Sequence, residues 1–430
     1  MNIGFISLGC PKNLTDTETM MGQLGNKYVL VNAMEKADIM VLNSCSFISA
    51  ARQETIATLH ELQSWKTGNR KIILTGCFVE DQKDSVFESF PFIDGILNTG
   101  ALNQITSLIE GLISGCSHDS RQAHRNQNFE GNLYRKLATP SHYAYLKIGE
   151  GCSNACSFCT IPRLRGAGIS KPLQAILAEA KQLTGQGVKE LILISQDTTS
   201  YQSKNAESLA DLIMQLETIS DLEWIRLLYA HPGKITAPLI HAMQQSSKLV
   251  KYIDMPIQHI NDTILTAMRR HTTKKEITKT IQGLRTLIPD VKLRTTVMVG
   301  FPGEDERSFQ ELFDYVSETK FDHLGVFAYS NESEAPSFHM RGQVSDKAKE
   351  ARVHKLMLLQ KGISASLNET YLGKTIPVMI DNHEGGRRYF DAPEIDGFVH
   401  VKDVKSTDIG SIKPVQITQA HEYDLVGIVT

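Results

Sequence analysis

Short apolar runs alternate with amphipathic stretches along most of this chain. In the first 115 residues, IGFISLG, ADIMVLNS and KIILTG are apolar at successive positions, the pattern of parallel strands buried on both faces. ISAARQETIATLHEL and NQITSLIEGLI carry their apolar residues at helical spacing. This β-α alternation predicts an open doubly wound sheet over residues 1–116. Residues 117–141 are polar and aperiodic, and read as a linker. The alternation resumes over 142–366. Strands are expected at YAYLKIG, ELILISQ, EWIRLLYA, YIDMPIQ, KLRTTVMVG and HLGVFAY, with helices such as SLADLIMQLETI, DTILTAMRR and RSFQELFDYVSE between them. Six strands with crossover helices predict a partial (β/α) barrel, whose chemistry sits at the C-terminal strand ends. Ser345 to Asn368 reads as a helix returning across this domain. Over 367–430 the period changes to two, in TIPVMID, GFVHVKD and KPVQITQ, with glycines between. That predicts a small closed antiparallel barrel of OB-like type. The fold class is α/β, closed by a β-barrel.

Composition narrows the picture. A net charge of −3 over 430 residues excludes a general polyanion binder. The longest apolar stretches fall well short of the roughly 18 residues of a membrane span. The start, MNIGFISLGCPKN, has no basic lead and no long apolar run, so no signal peptide is expected. Seven cysteines form two groups of three, with Cys116 left over. That pattern suits metal ligation in a reducing cytoplasm better than a disulfide framework. Cys116, in SGCSHDS, reads as incidental.

The stretch GEGCSNACSFCTIP places Cys152, Cys156 and Cys159 in a C-x3-C-x2-C run just beyond the strand YAYLKIG. Three thiolates are one short of the set that closes a structural zinc or an ordinary cubane cluster. A 4Fe-4S cluster held by three cysteines keeps one iron open for a small molecule. The alternatives are a zinc knuckle, with His142 as a fourth ligand, or a disulfide plus a spare thiol. Cys10, Cys45 and Cys77 form the second set. Each follows an apolar strand, and an open parallel sheet brings such strand ends to one edge, so residues 35 and 32 apart in sequence are able to meet. A C-x-x-C redox pair would need closer spacing, and three unrelated buried cysteines are the bland alternative.

Other polar groups follow barrel strands. Gln196, Asp197 and Thr198 follow ELILIS, and would offer polar groups to a ligand's ammonium or hydroxyls, or cap the next segment. Gly300 to Glu304, GFPGE, follows KLRTTVMV. Gly300 and Gly303 allow close backbone approach to a ligand, or simply make a turn. Gln258 and His259 end YIDMPIQH and are assigned no role.

The cysteine run, with YAYLKIG before it and IPRLRG after it, resembles the radical SAM superfamily. The likeness extends along the whole chain. SLGCPKN, NSCSF (Asn43 to Phe47), TGC (Thr75 to Cys77) and DAPEIDG (Asp391 to Gly397) all resemble the methylthiotransferases of that superfamily. SLGCPKN and DAPEIDG point to the branch that modifies an aspartate of ribosomal protein S-twelve. The resemblance implies two 4Fe-4S clusters, one on Cys152, Cys156 and Cys159 with S-adenosylmethionine at its open iron, and an auxiliary one on Cys10, Cys45 and Cys77. It further implies Arg165 at the barrel mouth, Asn43 and Gly76 shaping the auxiliary loops, a C-terminal TRAM domain, and an electron donor such as flavodoxin or ferredoxin. The chemistry implied is hydrogen abstraction by a radical made from S-adenosylmethionine, then methylthio transfer. After IPRLRG this chain has AGISK, with Lys171 alone charged, where the family pattern is more basic. Rival readings are a transfer-RNA methylthiotransferase acting on adenosine, an iron-sulfur electron carrier, and a zinc scaffold.

Charge bears on the substrate. From Leu367 to Thr430 there are six basic residues (Lys374, Arg387, Arg388, Lys402, Lys405 and Lys413) against ten acidic ones. An OB-like barrel that grips RNA needs a positive face and stacking aromatics. This one would repel phosphate and attract a basic protein, save for a local basic patch around Arg387 and Arg388.

Overall fold

The structure, a computed structural model, describes residues 1–25, 27–82, 85–115, 118–119 and 134–430. Cys116 and most of the stretch read as a linker lie outside these residues. The chain forms two compact units that do not follow its linear order. The first is Met1–Ala138, Gly149–Ser153 and Thr160–Gln182; the second is Thr139–Ile148, Asn154–Cys159 and Leu183–Thr430.

The first unit holds a parallel sheet of six strands: β1 (Asn2–Ser7), β2 (Val29–Val31), β3 (Ile39–Ser44), β4 (Lys71–Gly76), β5 (Gly95–Leu97) and β6 (His118–Asp119), in the order β2-β1-β3-β4-β5-β6. The strands expected from apolar runs are β1, β3 and β4. The other three span two or three residues, too short to show a period. β3 is buried at every position. Its alternate side chains part between two cores. Met40 and Leu42 pack with Leu59 and Leu62 of the helix Ser49–Trp65, whereas Ile39 and Val41 pack with Met20, Leu24 and Leu108. Helix layers on both faces give the doubly wound arrangement.

The second unit carries another six-stranded parallel sheet: β7 (Tyr143–Lys147), β8 (Glu190–Ile194), β9 (Trp224–Leu227), β10 (Leu249–Asp254), β11 (Lys292–Val299) and β12 (His323–Ala328), neighbours in that order. All six match apolar runs. Along β11, Leu293, Thr295, Val297 and Val299 are buried, while the residues between them are less so. The helix Asp346–Glu369 then leads to a closed five-stranded barrel of β13 (Thr375–Asn382), β14 (Gly385–Arg388), β15 (Val399–Lys402), β16 (Ile412–Ala420) and β17 (Leu425–Val429). Its core is Val378, Ile380, Val399, Val401, Val415, Ile417 and Leu425. The sequence pattern shows no sign of β14, because two glycines and two arginines, GGRR, do not alternate.

Those two arginines are not a surface patch. Arg387 and Arg388 are each 3% exposed, and they join the barrel to the start of the second sheet. Arg387 pairs with Glu190 at 2.9 Å and Asp381 at 2.6 Å. Glu190 also takes Arg226, which is 0% exposed, at 2.6 Å. Burial pushes the Glu190 carboxyl up, but Arg226 and Arg387 outweigh it and hold it below its usual range. Arg388 pairs with Asp391, which His323 faces at 3.3 Å. Asp396 accepts from Tyr252 Oη at 2.7 Å and Arg294 Nε at 3.2 Å. Both aspartates of DAPEIDG are therefore inward clasps.

Removing one partner of a buried ion pair typically costs about 3–5 kcal/mol, because the other charge stays buried. Arg387→Ala is expected to lower the thermal midpoint of the metal-free chain accordingly. Adding Glu190→Gln should deepen the loss, because Arg226 would then stay buried without its partner. An unchanged midpoint in the single variant would refute the role given to this pair.

Candidate functional site

β1, β3 and β4 are neighbours in the first sheet, with Ser44 paired to Gly76. Cys10 caps the helix Pro11–Leu24, Cys45 directly follows β3, and Cys77 directly follows β4 and opens the helix Cys77–Gln82. A Cβ on Gly9, at φ +88°, would lie 2.8 Å from Cys45 Sγ, so the Cys10 loop passes directly over that thiol. Asn43 ties the loops, donating to Asn13 O at 2.7 Å and to Thr17 Oγ1 at 3.0 Å. Burial pushes the Cys77 thiol up to about 11, against the pull of Arg165. Burial likewise raises Cys45, and charge on Cys10 opposes ionisation of both Cys45 and Cys77. Such thiols lose their protons to a coordinating metal.

Arg165 ends the helix Ile161–Arg165 and is 3% exposed within the first unit. Its Nε donates to Cys77 Sγ at 3.3 Å, Nη1 to Asp16 at 2.8 Å and Glu150 at 3.3 Å, and Nη2 to Asn13 Oδ1 at 2.5 Å. Within the first unit it stands among the loops of the second cysteine set. Lys171 is buried and paired with Glu179, which also takes Arg135.

The C-x3-C-x2-C run crosses between units. Cys152 belongs to the first, where its N–H donates to Gly166 O at 3.1 Å. Cys156 and Cys159 belong to the second. There Ser157 donates from N to Met268 O at 3.0 Å and from Oγ to Ala267 O at 2.8 Å. Arg270 donates from Nη1 to Cys156 Sγ at 3.5 Å and from Nη2 to Pro256 O at 2.8 Å. All six cysteines are free thiols, so the disulfide alternative falls. So does the His142 ligand, because its ring is buried and bonded to Asp381 at 2.7 Å. Among the described residues no three His, Cys, Asp or Glu side chains gather round one ion. A four-iron cluster spreads its thiolates over separate irons, so its ligands need no such convergence. Two all-sulfur sets of three are the soft donor chemistry that iron-sulfur clusters take.

Asp197, just past β8, accepts from Asn154 Nδ2 at 2.7 Å, Lys234 Nζ at 2.8 Å, Thr199 Oγ1 at 2.6 Å and Ser200 Oγ at 2.6 Å. It thereby anchors the cysteine run two residues before Cys156. Thr198 Oγ1 donates to Leu228 O at 2.6 Å, and Gln196 is half-buried beside it. Gly300 and Gly303 hold φ of +75° and +90°. Glu304 turns inward: it accepts from Gly300 N at 2.9 Å, pairs with Arg352 at 2.7 Å and faces His259 at 3.3 Å. Its carboxylate clamps its own turn. Asn154, Lys234, Arg270 and His231 were missed in the sequence. The His231 imidazole is held down to about 3, first by burial and then by Arg270. Asn154 alone carried a signal, by lying inside the cysteine run; the others come from separate loops. Tyr229 and Gln258, just past β9 and β10, hold positive φ of 60° and 68°, backbone strain of the kind that gathers at functional sites.

Burial raises the Asp197 pKa, but hydrogen bonds led by Lys234 outweigh it and bring the group to about 2. A depressed carboxyl stabilises the fold above its unfolded value, about 3.9. That contribution is lost as pH falls through about 2. Asp197→Asn should therefore melt below wild type at neutral pH, with the gap closing as pH falls below about 4. Thermal unfolding of the metal-free chains checks this, and a gap that does not vary with pH would contradict it.

Three segments match known families: residues 2–98 the uncharacterized protein family UPF0004, 146–316 the Radical SAM superfamily, and 372–429 the TRAM domain. Ribosomal protein uS12 methylthiotransferase RimO of Thermoanaerobacter sp. (strain X514) is 44% identical over 99% of both chains. The protein of the same name from Clostridioides difficile (strain 630) is 43% identical over 99% of this chain and 98% of that one. Among solved structures, the radical S-adenosylmethionine methyltransferase TsrM of Kitasatospora setae aligns with a TM-score of 0.55 at 11% identity, over 76% of this chain and 72% of that one. That last likeness is of fold alone. The layout is an N-terminal α/β domain, a radical SAM domain and a C-terminal TRAM barrel.

Proposed function

Because the chain belongs to the ribosomal protein uS12 methylthiotransferase (RimO) family, we propose that it is a radical SAM methylthiotransferase that adds a methylthio group to the β-carbon of an aspartate in ribosomal protein uS12. The observation that carries this reading is the pair of all-thiol triads. Cys152, Cys156 and Cys159 would hold one 4Fe-4S cluster and Cys10, Cys45 and Cys77 a second. Bound there, these groups supply reductive cleavage of S-adenosylmethionine, removal of hydrogen from an unactivated carbon, and the transferred sulfur, none of which acid-base side chains supply. The reading assigns residues 1–116 to the auxiliary-cluster domain, 142–366 to the radical SAM core and 367–430 to the TRAM domain.

The chain's own part is to bind, orient and exclude water. Arg270 places a charged N–H on Cys156, a contact that fixes the position of the sulfur. Asp197 and Lys234 fasten Asn154 and so the cysteine run. Gln196, Asp197 and Thr198, with Gly300 and Gly303, form the polar mouth offered to the amino acid and nucleoside ends of S-adenosylmethionine. Glu304 and Arg352 keep the glycine turn in shape. An external donor such as flavodoxin or ferredoxin supplies the electron.

Charge favours the protein substrate over transfer RNA. With Arg387 and Arg388 buried, the exposed charges from Leu367 onward are Lys374, Lys402 and Lys405 against Glu369, Glu384, Glu394, Asp403 and Glu422. That surface suits a basic partner such as a ribosomal protein and repels phosphate. Among the described residues no helix is long and apolar enough to cross a membrane. The cytoplasm, reducing and home to the ribosome, is the proposed compartment.

Anaerobic reconstitution should give about eight irons per chain, four per cluster. With dithionite and S-adenosylmethionine the protein should release 5′-deoxyadenosine. Replacing Cys152, Cys156 and Cys159 with Ala should abolish that release. Replacing Cys10, Cys45 and Cys77 should preserve it while ending methylthio transfer. Release from the first variant would defeat the assignment.

A further inference from the structure

Arg165 divides its hydrogen bonds among four different groups. One N–H reaches Cys77 Sγ. Two reach Asn13 and Asp16, on the helix that Cys10 caps. One reaches Glu150, two residues before Cys152. Asn13 extends the reach to the third loop, donating from Nδ2 to Ser44 O at 2.9 Å, beside Cys45. The carbonyl of the next residue, Gly166, accepts from Cys152 N. A guanidinium is suited to this, being planar, always charged and fixed in its donor directions. All of these contacts lie inside the first unit.

Resting on the two-cluster reading above, we propose that Arg165 is the positioning residue of the auxiliary cysteine triad: it holds the loops of Cys10, Cys45 and Cys77 in place and raises the reduction potential of the cluster they bind. Hydrogen bonds to sulfur and local charge are what tune such potentials. A buried cation beside Cys77 favours the state that carries the extra electron.

Two substitutions separate the two effects. Arg165→Met removes charge and fork; Arg165→Lys keeps the charge and loses the fork. After reconstitution, Arg165→Met should bind about half the iron of the wild type, which holds about eight, and should still release 5′-deoxyadenosine. Its dissociation constant for S-adenosylmethionine should match wild type. Arg165→Lys should bind near-wild-type iron. In an otherwise full-length chain with Cys152, Cys156 and Cys159 replaced by Ala, only the auxiliary cluster remains. Its midpoint potential, followed by electron paramagnetic resonance, should become more negative when Arg165→Lys is added. Full iron in Arg165→Met, or an unmoved potential in Arg165→Lys, overturns the proposal, and the second result decides if Arg165→Met does not fold. Weakened binding of S-adenosylmethionine at full iron would instead make Arg165 a cofactor ligand and also overturn it. A wild type holding only about four irons would bring down the two-cluster reading first, a different and recognisable failure.

Discussion

Parallel strand pairing is the constraint on which the rest of this protein depends. It sets every strand of a sheet running the same way, so loops that follow the strands share one edge. β1, β3 and β4 are side by side, at a spacing of about 4.8 Å between neighbours. Cys10, Cys45 and Cys77 ride on the loops that leave them. The second sheet applies the same rule to β7, β8 and β11, which lead into the cysteine run, Asp197 and the glycine turn. Local turns then decide the detail, as at Gly9 over Cys45.

Buried charge is the second theme. The second sheet carries Glu190, Arg226, Asp254, Arg294 and His323 where apolar side chains would pack with no desolvation cost. Each is matched, several of them from the C-terminal region through Arg387, Asp391 and Asp396. Burying an ion unmatched is prohibitive, so these residues set where the barrel docks. The DAPEIDG motif is therefore a fastening as much as a label. Taking Arg387 and Arg388 out of solvent leaves the barrel surface net acidic, with Lys374, Lys402 and Lys405 facing five exposed carboxylates.

Twelve strands, both cysteine sets and the polar positions after β8 and β11 were legible in the sequence, because each depends on a local pattern. β2, β5 and β6 were too short to show a period, and the GGRR strand has none. The partners of the site were less legible, since they are contacts across long loops. Asp197 was visible as a residue after a strand, yet its hold on Asn154 and Lys234 was not. Glu304 was visible at the end of the GFPGE turn, yet its contacts with Arg352 and His259 were not. Arg165 was visible as a motif residue, yet its hydrogen bond to Cys77 was not. A motif shows that a polar residue matters, but which way it turns depends on the charges that burial brings beside it.

The central claim is that this chain's radical chemistry is directed at a protein. Mass spectrometry of ribosomal protein uS12 and of bulk transfer RNA, each incubated with the reconstituted protein, S-adenosylmethionine and reductant, tests that most directly. The account predicts that uS12 gains the mass of one CH2S unit on an aspartate and that the RNA is unchanged. Methylthioadenosine in the RNA, with uS12 unaltered, would contradict it.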